Sequence, residues 1–370
     1  MRIAELLPRV ETKRFSRPPR NPRSTWNEKN TFLVFVVADD GTTGVGEAWC
    51  EATSPRTLAT FVLEDLAPLF IGADVEDVER LWHIAFERTR VSAKPGLMLS
   101  VLGAVETALW DLIAKAQGRP LHRLLGACTD RVPVYASGGL YADGQSVDDL
   151  GREMAGHVEH GFRAVKMKVA GAALAEDVAR VAAVREAIGA DVHLMVDAVY
   201  MLDETSALRM ARALEPYDIW FLEAPLAPGN LPGLRRLTAR SPIPIAGNEV
   251  AFGLDGYRDV IVEGGVGIVH LDVNQCGGIG EARRIAALAA AFHRPVSFHC
   301  ATSAVCFAAN LQVAASIANA ESIEYHAVHR MLFDRVAPDH FRIEQGAVVL
   351  PTTPGIGIEI DPSSLRNPMQ

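Results

Sequence analysis

From about residue 130 onward the chain repeats one pattern, in which short apolar runs alternate with stretches whose apolar residues recur at helical spacing. Eight runs follow one another. They are VPVYAS at 132–137, RAVKMKV at 163–169, VHLMVD at 192–197, IWFLE at 219–223, IPIAGNE at 243–249, VGIVHLD at 266–272, PVSFH at 295–299 and SIEY at 322–325. Helical patterns such as AEDVARVAAVREAIG and EARRIAALAAAF lie between them, with Gly or Pro near many junctions. Parallel strands need crossover connections and helices supply them, so the alternation predicts a barrel of parallel strands wrapped by helices. An open doubly wound sheet would use the same alternation, usually with fewer strands and a Gly-rich phosphate turn, and no G-x-G-x-x-G follows the first strand.

The ends of these runs carry reactive side chains. Asp197 closes VHLMVD, Glu223 closes IWFLE and Glu249 closes IPIAGNE, 26 residues apart both times. One β/α unit takes about that length, so consecutive strands bring three carboxylates to the C-terminal mouth, where such barrels do their chemistry. Each acid alone reads equally well as a helix N-cap or a surface group. Three in register point to a metal, because crowded carboxylates without a cation repel one another and raise at least one pKa. Oxygen ligands suit Mg2+, with Mn2+ as the second choice.

Lys166 and Lys168 stand two apart on the preceding strand, which places them on one face, pointing inward. The positive charge of one is expected to lower the pKa of the other towards that of a general base. Two solvated lysines are the competing reading. Asp272 and His299 end strands six and seven, 27 residues apart, and predict a pair in which the carboxylate orients the imidazole and stabilises its protonated form. His270, His293, His326 and His329 are set aside for lack of that register. Glu324 ends the eighth strand, where a carboxyl kept protonated would donate a hydrogen bond to a substrate oxygen; Glu321 is the competing choice.

The first part of the chain has a different grammar. TFLVFVVA at 31–38 runs into Asp39-Asp40-Gly41, a strand and hairpin turn, and residues 75–90 and 98–117 show helical spacing, with Gly118 and Pro120 as a stop. The expected organisation is an α+β domain over 1–127, the barrel over 128–335, and a Pro- and Gly-rich segment, 336–370, that returns to the first domain. A net charge of −9 argues against nucleic acid as a partner. Five cysteines without a C-x-x-C pair indicate neither a disulfide framework nor a zinc site and suit the reducing cytoplasm. No signal peptide is evident, and no stretch is expected to span a membrane.

These motifs together resemble the enolase superfamily and, within it, the mandelate racemase subgroup. VKMKV is similar to the subgroup's K-x-K strand, LMVDA, FLEAP and the AGNE run to its three ligand motifs, and HLDVNQCGGIGEA with SFH to the segments of its Asp-His pair. The muconate-lactonising branch would place a lysine on strand six, and HLDVNQCGG contains none. DDGTTGVGEAW and RPLHRLLGACTDRVPVYAS are similar to the superfamily's capping domain and its passage into the barrel. There are departures: Val199 stands where Asn is common, Ala224 where an acid is frequent, and Asn248 where Gly is usual.

The resemblance implies an α/β fold, a modified (β/α)7β barrel with an α+β capping domain. It also implies Mg2+-dependent removal of the proton α to a carboxylate. Lys168 would act as base beside Lys166, with His299 and Asp272 on the other face and Glu324 near the substrate carboxylate. Loss of water from a sugar acid is favoured over racemisation or epimerisation of a hydroxy acid, with a non-catalytic metal-binding barrel as a third reading. A small carboxylate substrate and a homo-oligomer are expected. Between Lys13 and Lys29 six cations face only Glu28, and the corresponding family loop closes over the substrate, so this basic segment suits a polyhydroxy acid and even a dicarboxylate. A solvated or subunit-contacting arm is its competing reading.

Overall fold

The computed structural model describes residues 1–89, 96–336 and 341–370. Strands β1 (Ile3–Arg14), β2 (Glu28–Ala38) and β3 (Thr43–Ala48) form an antiparallel sheet, and helices α1 (Val78–Thr89) and α2 (Leu97–Ala116) complete this cap. Residue 90, within the helix expected at 75–90, lies outside the described residues. Strand β1 was not foreseen; it pairs with β2 along its whole length.

Sheet and helix meet without intervening side chains. A Cβ on Gly44 would lie 2.0 Å from the Ala108 carbonyl oxygen, and one on Gly46 equally close to that of Ala104. Helix α2 corrects one expectation, because its 20 residues and mean hydropathy of 1.6 are enough for a membrane span. In the fold 83% of that window is buried, so its apolar surface is consumed by the cap's core and the barrel.

The barrel strands are β4 (Arg131–Ser137), β5 (Ala164–Lys168), β6 (His193–Asp197), β7 (Ile219–Glu223), β8 (Ile245–Gly247), β9 (Ile268–Leu271), β10 (Val296–Phe298) and β11 (Ala320–His326). All eight run parallel in sequence order and close through β11 against β4. Helical connections separate each strand from the next. The outer faces of the strands pack on these helices in one continuous core, which explains why the runs read as unbroken apolar sequence.

The inner faces are layered. Tyr135, Ala164, Met195, Phe221, Ala246 and Ile268 form a small separate apolar cluster. Side chains two residues apart share a face, so the next inward positions are Ser137, Lys166, Asp197, Glu223, Asn248 and His270. An apolar floor thus carries a polar layer above it, at the C-terminal ends of the strands.

After β11 the chain forms a hairpin, β12 (Ile343–Glu344) and β13 (Ala347–Val349), which adds antiparallel to β4 through Val349↔Arg131 and Ala347↔Pro133. The residues beyond reach the cap: Ile356 N donates to Asp111 Oδ1 at 2.7 Å, Arg366 bridges to Val10, and Arg56 Nη2 donates to the Met369 carbonyl at 2.8 Å. Two buried acids pin the cap to the barrel helices. Glu106 accepts from Ile279 N and Gly280 N, at 2.8 and 2.9 Å. Glu47 accepts from Ser303 Oγ at 2.5 Å and Cys306 N at 3.0 Å.

Candidate active site

Parallel pairing aligns Lys168 with Asp197 and Asp197 with Glu223, so three charged groups stand side by side on β5, β6 and β7. Lys168 forms an ion pair with Asp197 Oδ2, and the other oxygen of Asp197 accepts from Val199 N at 2.8 Å. Lys166 is fully buried, with Nζ 2.5 Å from Glu223 Oε2 and 3.0 Å from Glu324 Oε1. Across the mouth His299 Nδ1 lies 2.8 Å from Asp272 Oδ2. Asp272 Oδ1 accepts from Asn274 N at 2.9 Å, which fixes that carboxylate at the start of a helical turn. Glu324 Oε2 accepts from Cys300 N at 3.1 Å and stands 3.9 Å from His299 Nε2.

Three expectations need correction. His270, set aside above, is fully buried with Nδ1 3.4 Å from Glu223 Oε1 and 3.7 Å from Glu249 Oε2. Its position two residues before Asp272 was the available signal, since it shares the inward face. Second, Lys168 is shifted up. Burial and Lys166 pull its pKa down, but the carboxylate of Asp197 outweighs both. Third, Glu324 is not held protonated: burial raises its pKa, but Lys166 and His299 carry it well below the usual carboxylate range. The competing Glu321 sits at the opposite end of β11, away from the mouth.

The group that gathers ligand atoms within 4.8 Å of one another is Glu223, Glu249 and His270. Asp197 is Glu223's neighbour in register but turns its oxygens to Lys168 and Val199 N. Glu249 Oε2 and His270 Nδ1 have no hydrogen-bond partner among the described residues. Burial first, and then Asp197, push Glu223 up to about 7. Buried, unpartnered donor atoms and a carboxylate destabilised by its neighbours are what a cation site leaves when its charge is missing. The residues fit a divalent cation: carboxylates suit Mg2+, and the imidazole extends the fit to Mn2+.

Residues 7–126 match the family described as mandelate racemase / muconate lactonizing enzyme, N-terminal domain, and residues 149–364 the family described as enolase C-terminal domain-like. The chain belongs to the enolase superfamily. It is 33% identical to an arabinonate dehydratase of Saccharolobus solfataricus over 88% of this chain and 87% of that one. It is 30% identical to a D-galactarolactone cycloisomerase of Agrobacterium fabrum, over 99% and 98%. Among solved structures it is similar to a racemase from Streptomyces coelicolor A3(2) with bound magnesium, with TM-score 0.91, 30% identity and 98% of each chain covered.

Two of the departures from the superfamily pattern, Val199 and Ala224, fall in the turns after the acids. Val199 and Ala224 hold left-handed backbone, at φ 48° and 46°. That conformation is unfavourable for a β-branched residue and tolerable for Asn. Val199→Asn is therefore expected to stabilise the fold by about 1 kcal/mol. The denaturant midpoint at unchanged slope reads this. A lower midpoint would mean that Val199 contributes packing worth more than the strain.

Proposed function

We propose that the protein removes the proton α to the carboxylate of a sugar acid and then expels the β-hydroxyl as water. The observation that carries the reading is the pairing of a buried lysine, Lys168, with an Asp-held imidazole, His299, on barrel strands separated by β4 and β11. The likeness to an arabinonate dehydratase supports dehydration.

Asp197, Glu223 and Glu249, which stand at the ends of consecutive strands, would hold the cation, with His270 beside them. Bound there, Mg2+ or Mn2+ would offset the clustered carboxylates, including the one that keeps Lys168 protonated, and absorb the second negative charge that forms on the substrate carboxylate. Lys168 takes the α-proton at Nζ. Lys166, fixed between Glu223 and Glu324, adds positive charge next to it. The electron pair left on the α-carbon forms the double bond to the β-carbon as the C–O bond breaks. His299 supplies the proton that turns the departing hydroxyl into water, and the enol rearranges to a 2-keto-3-deoxy acid.

His299 suits the acid role. Burial lowers its pKa, but the hydrogen bond to Asp272 and the charge of Glu324 prevail and push it up to about 9. It is therefore protonated at neutral pH, and turnover is expected to fall as pH rises through about 9. Asp272→Asn removes a raising influence, so that alkaline limb should move to lower pH. A pH–rate profile measures both, and an unmoved limb in the variant would remove Asp272 from the assignment.

The second reading is racemisation, favoured by the similarity to a protein described as a racemase. There the same imidazole returns a proton to the opposite face and no keto product forms. A screen of sugar acids with Mg2+, assayed for keto product and for a change of optical rotation, separates the two. Keto product with at least one acid is expected; a rotation that changes without it would favour the second reading.

A further inference from the structure

We propose that the mouth of this site is built for the uncharged hydroxyl chain of a monocarboxylic sugar acid and against the second carboxylate of a diacid. The inference rests on the proposed function and concerns the substrate end remote from the α-carbon.

A cavity of about 630 Å3 lies where β2 and the segment after β3 meet Thr302 and Met331 of the barrel. Among its lining residues Lys29 is the sole cation, against the carboxylates of Glu28 and Glu51. The rest is largely amide and hydroxyl, as in Asn27, Asn30 and Thr302. Lys29 is buried, and its charge is already answered: Nζ donates to the Ala301 carbonyl at 3.1 Å and lies 3.4 Å from Glu51 Oε2. Trp26 Nε1 donates to the other oxygen of Glu51 at 2.8 Å, which locks the pair.

Trp49 links the cluster to the reacting groups, none of which lines the cavity itself. Lys29 Nζ stands 5.4 Å over the Trp49 ring, and that ring lies 5.7 Å from His299. Two further imidazoles complete it. His326 and His329 stack at 3.9 Å, and His329 Nδ1 is 3.4 Å from Lys29 Nζ. Both are buried, and burial holds each well below the usual imidazole range, so they add no positive charge. His326 Nδ1 and His329 Nε2 have no hydrogen-bond partner among the described residues. Neutral imidazole nitrogens donate to or accept from a hydroxyl.

A second carboxylate placed here would face Glu51 and find no unpaired cation among the lining residues. The basic segment does not supply one. Lys13 Nζ donates to the Val328 carbonyl at 3.1 Å, Arg14 pairs with Glu28 at 3.5 Å, and Arg20 stacks 5.1 Å over Tyr141. Arg17 and Arg23 are exposed, and neither lines this cavity. The proposal thus runs against the expectation that this segment suits a dicarboxylate.

The test compares five- and six-carbon aldonates with the matching aldarates, using the full chain with Mg2+. It reads keto-acid formation and, by proton NMR in deuterated water, exchange of the α-proton. The best aldonate is expected to exceed the best aldarate in kcat/KM by at least about tenfold. Glu51→Gln unmasks the lysine charge and should narrow that ratio by about tenfold, chiefly through a lower KM for the aldarate. A wild type that prefers an aldarate overturns the inference whether or not the variant folds, and leaves proton abstraction standing. A folded Glu51→Gln with an unchanged ratio also overturns it. No exchange with any acid overturns both the inference and the function it rests on.

Discussion

Lys168→Ala and His299→Asn are each expected to lower the rate of keto-acid formation by about 1000-fold or more, while the folded protein persists. Both side chains are nearly buried, and each is held by one principal partner, Asp197 for the lysine and Asp272 for the imidazole. The two losses have different origins. Without Lys168 nothing on its face of the substrate takes the α-proton. Without His299 the proton still leaves, but the β-hydroxyl departs as hydroxide, a poor leaving group. Double replacement should cost little more than either single one, because both groups serve one sequence of bond changes. Undiminished turnover in either single variant would overturn the two-face assignment.

Removal of divalent metal by chelation is expected to abolish turnover, and added Mg2+ or Mn2+ to restore it. The more specific expectation concerns His270, whose imidazole faces Glu223 and Glu249. His270→Asn should weaken Mg2+ binding roughly 10- to 100-fold, the range seen when groups that support metal ligands are replaced. Calorimetric titration of the metal-free protein reads this directly. Unchanged affinity in His270→Asn would confine the cation to the carboxylates, with His270 a bystander.

The barrel was legible because parallel strands buried on both faces must be written as unbroken apolar runs. The positions of Asp197, Glu223, Asp272 and His299 follow from repeat length alone. Strand β1 was less legible, since only one of its faces is buried and Pro8, Arg9 and Glu11 interrupt its apolar pattern. His270 was missed because strand-end register was weighed above the two-residue alternation that turns it inward with Asp272. The upward shift of Lys168 depends on the lateral pairing of β5 with β6, which brings Asp197 opposite; a lysine two residues away could not reveal that. Lys29, Glu51 and His329 meet only through the closure of the cap on the barrel, with Lys29 and His329 300 positions apart in the chain.

The central claim is that Lys168, beside a divalent cation, removes the proton next to a substrate carboxylate. Exchange of that proton in deuterated water, followed by NMR with Mg2+ present, tests it most directly. Wild-type protein should exchange the α-proton of at least one sugar acid, His299→Asn should retain exchange without forming keto acid, and Lys168→Ala should show none. Exchange that persists in Lys168→Ala, or is absent from the wild type with every acid, would contradict it.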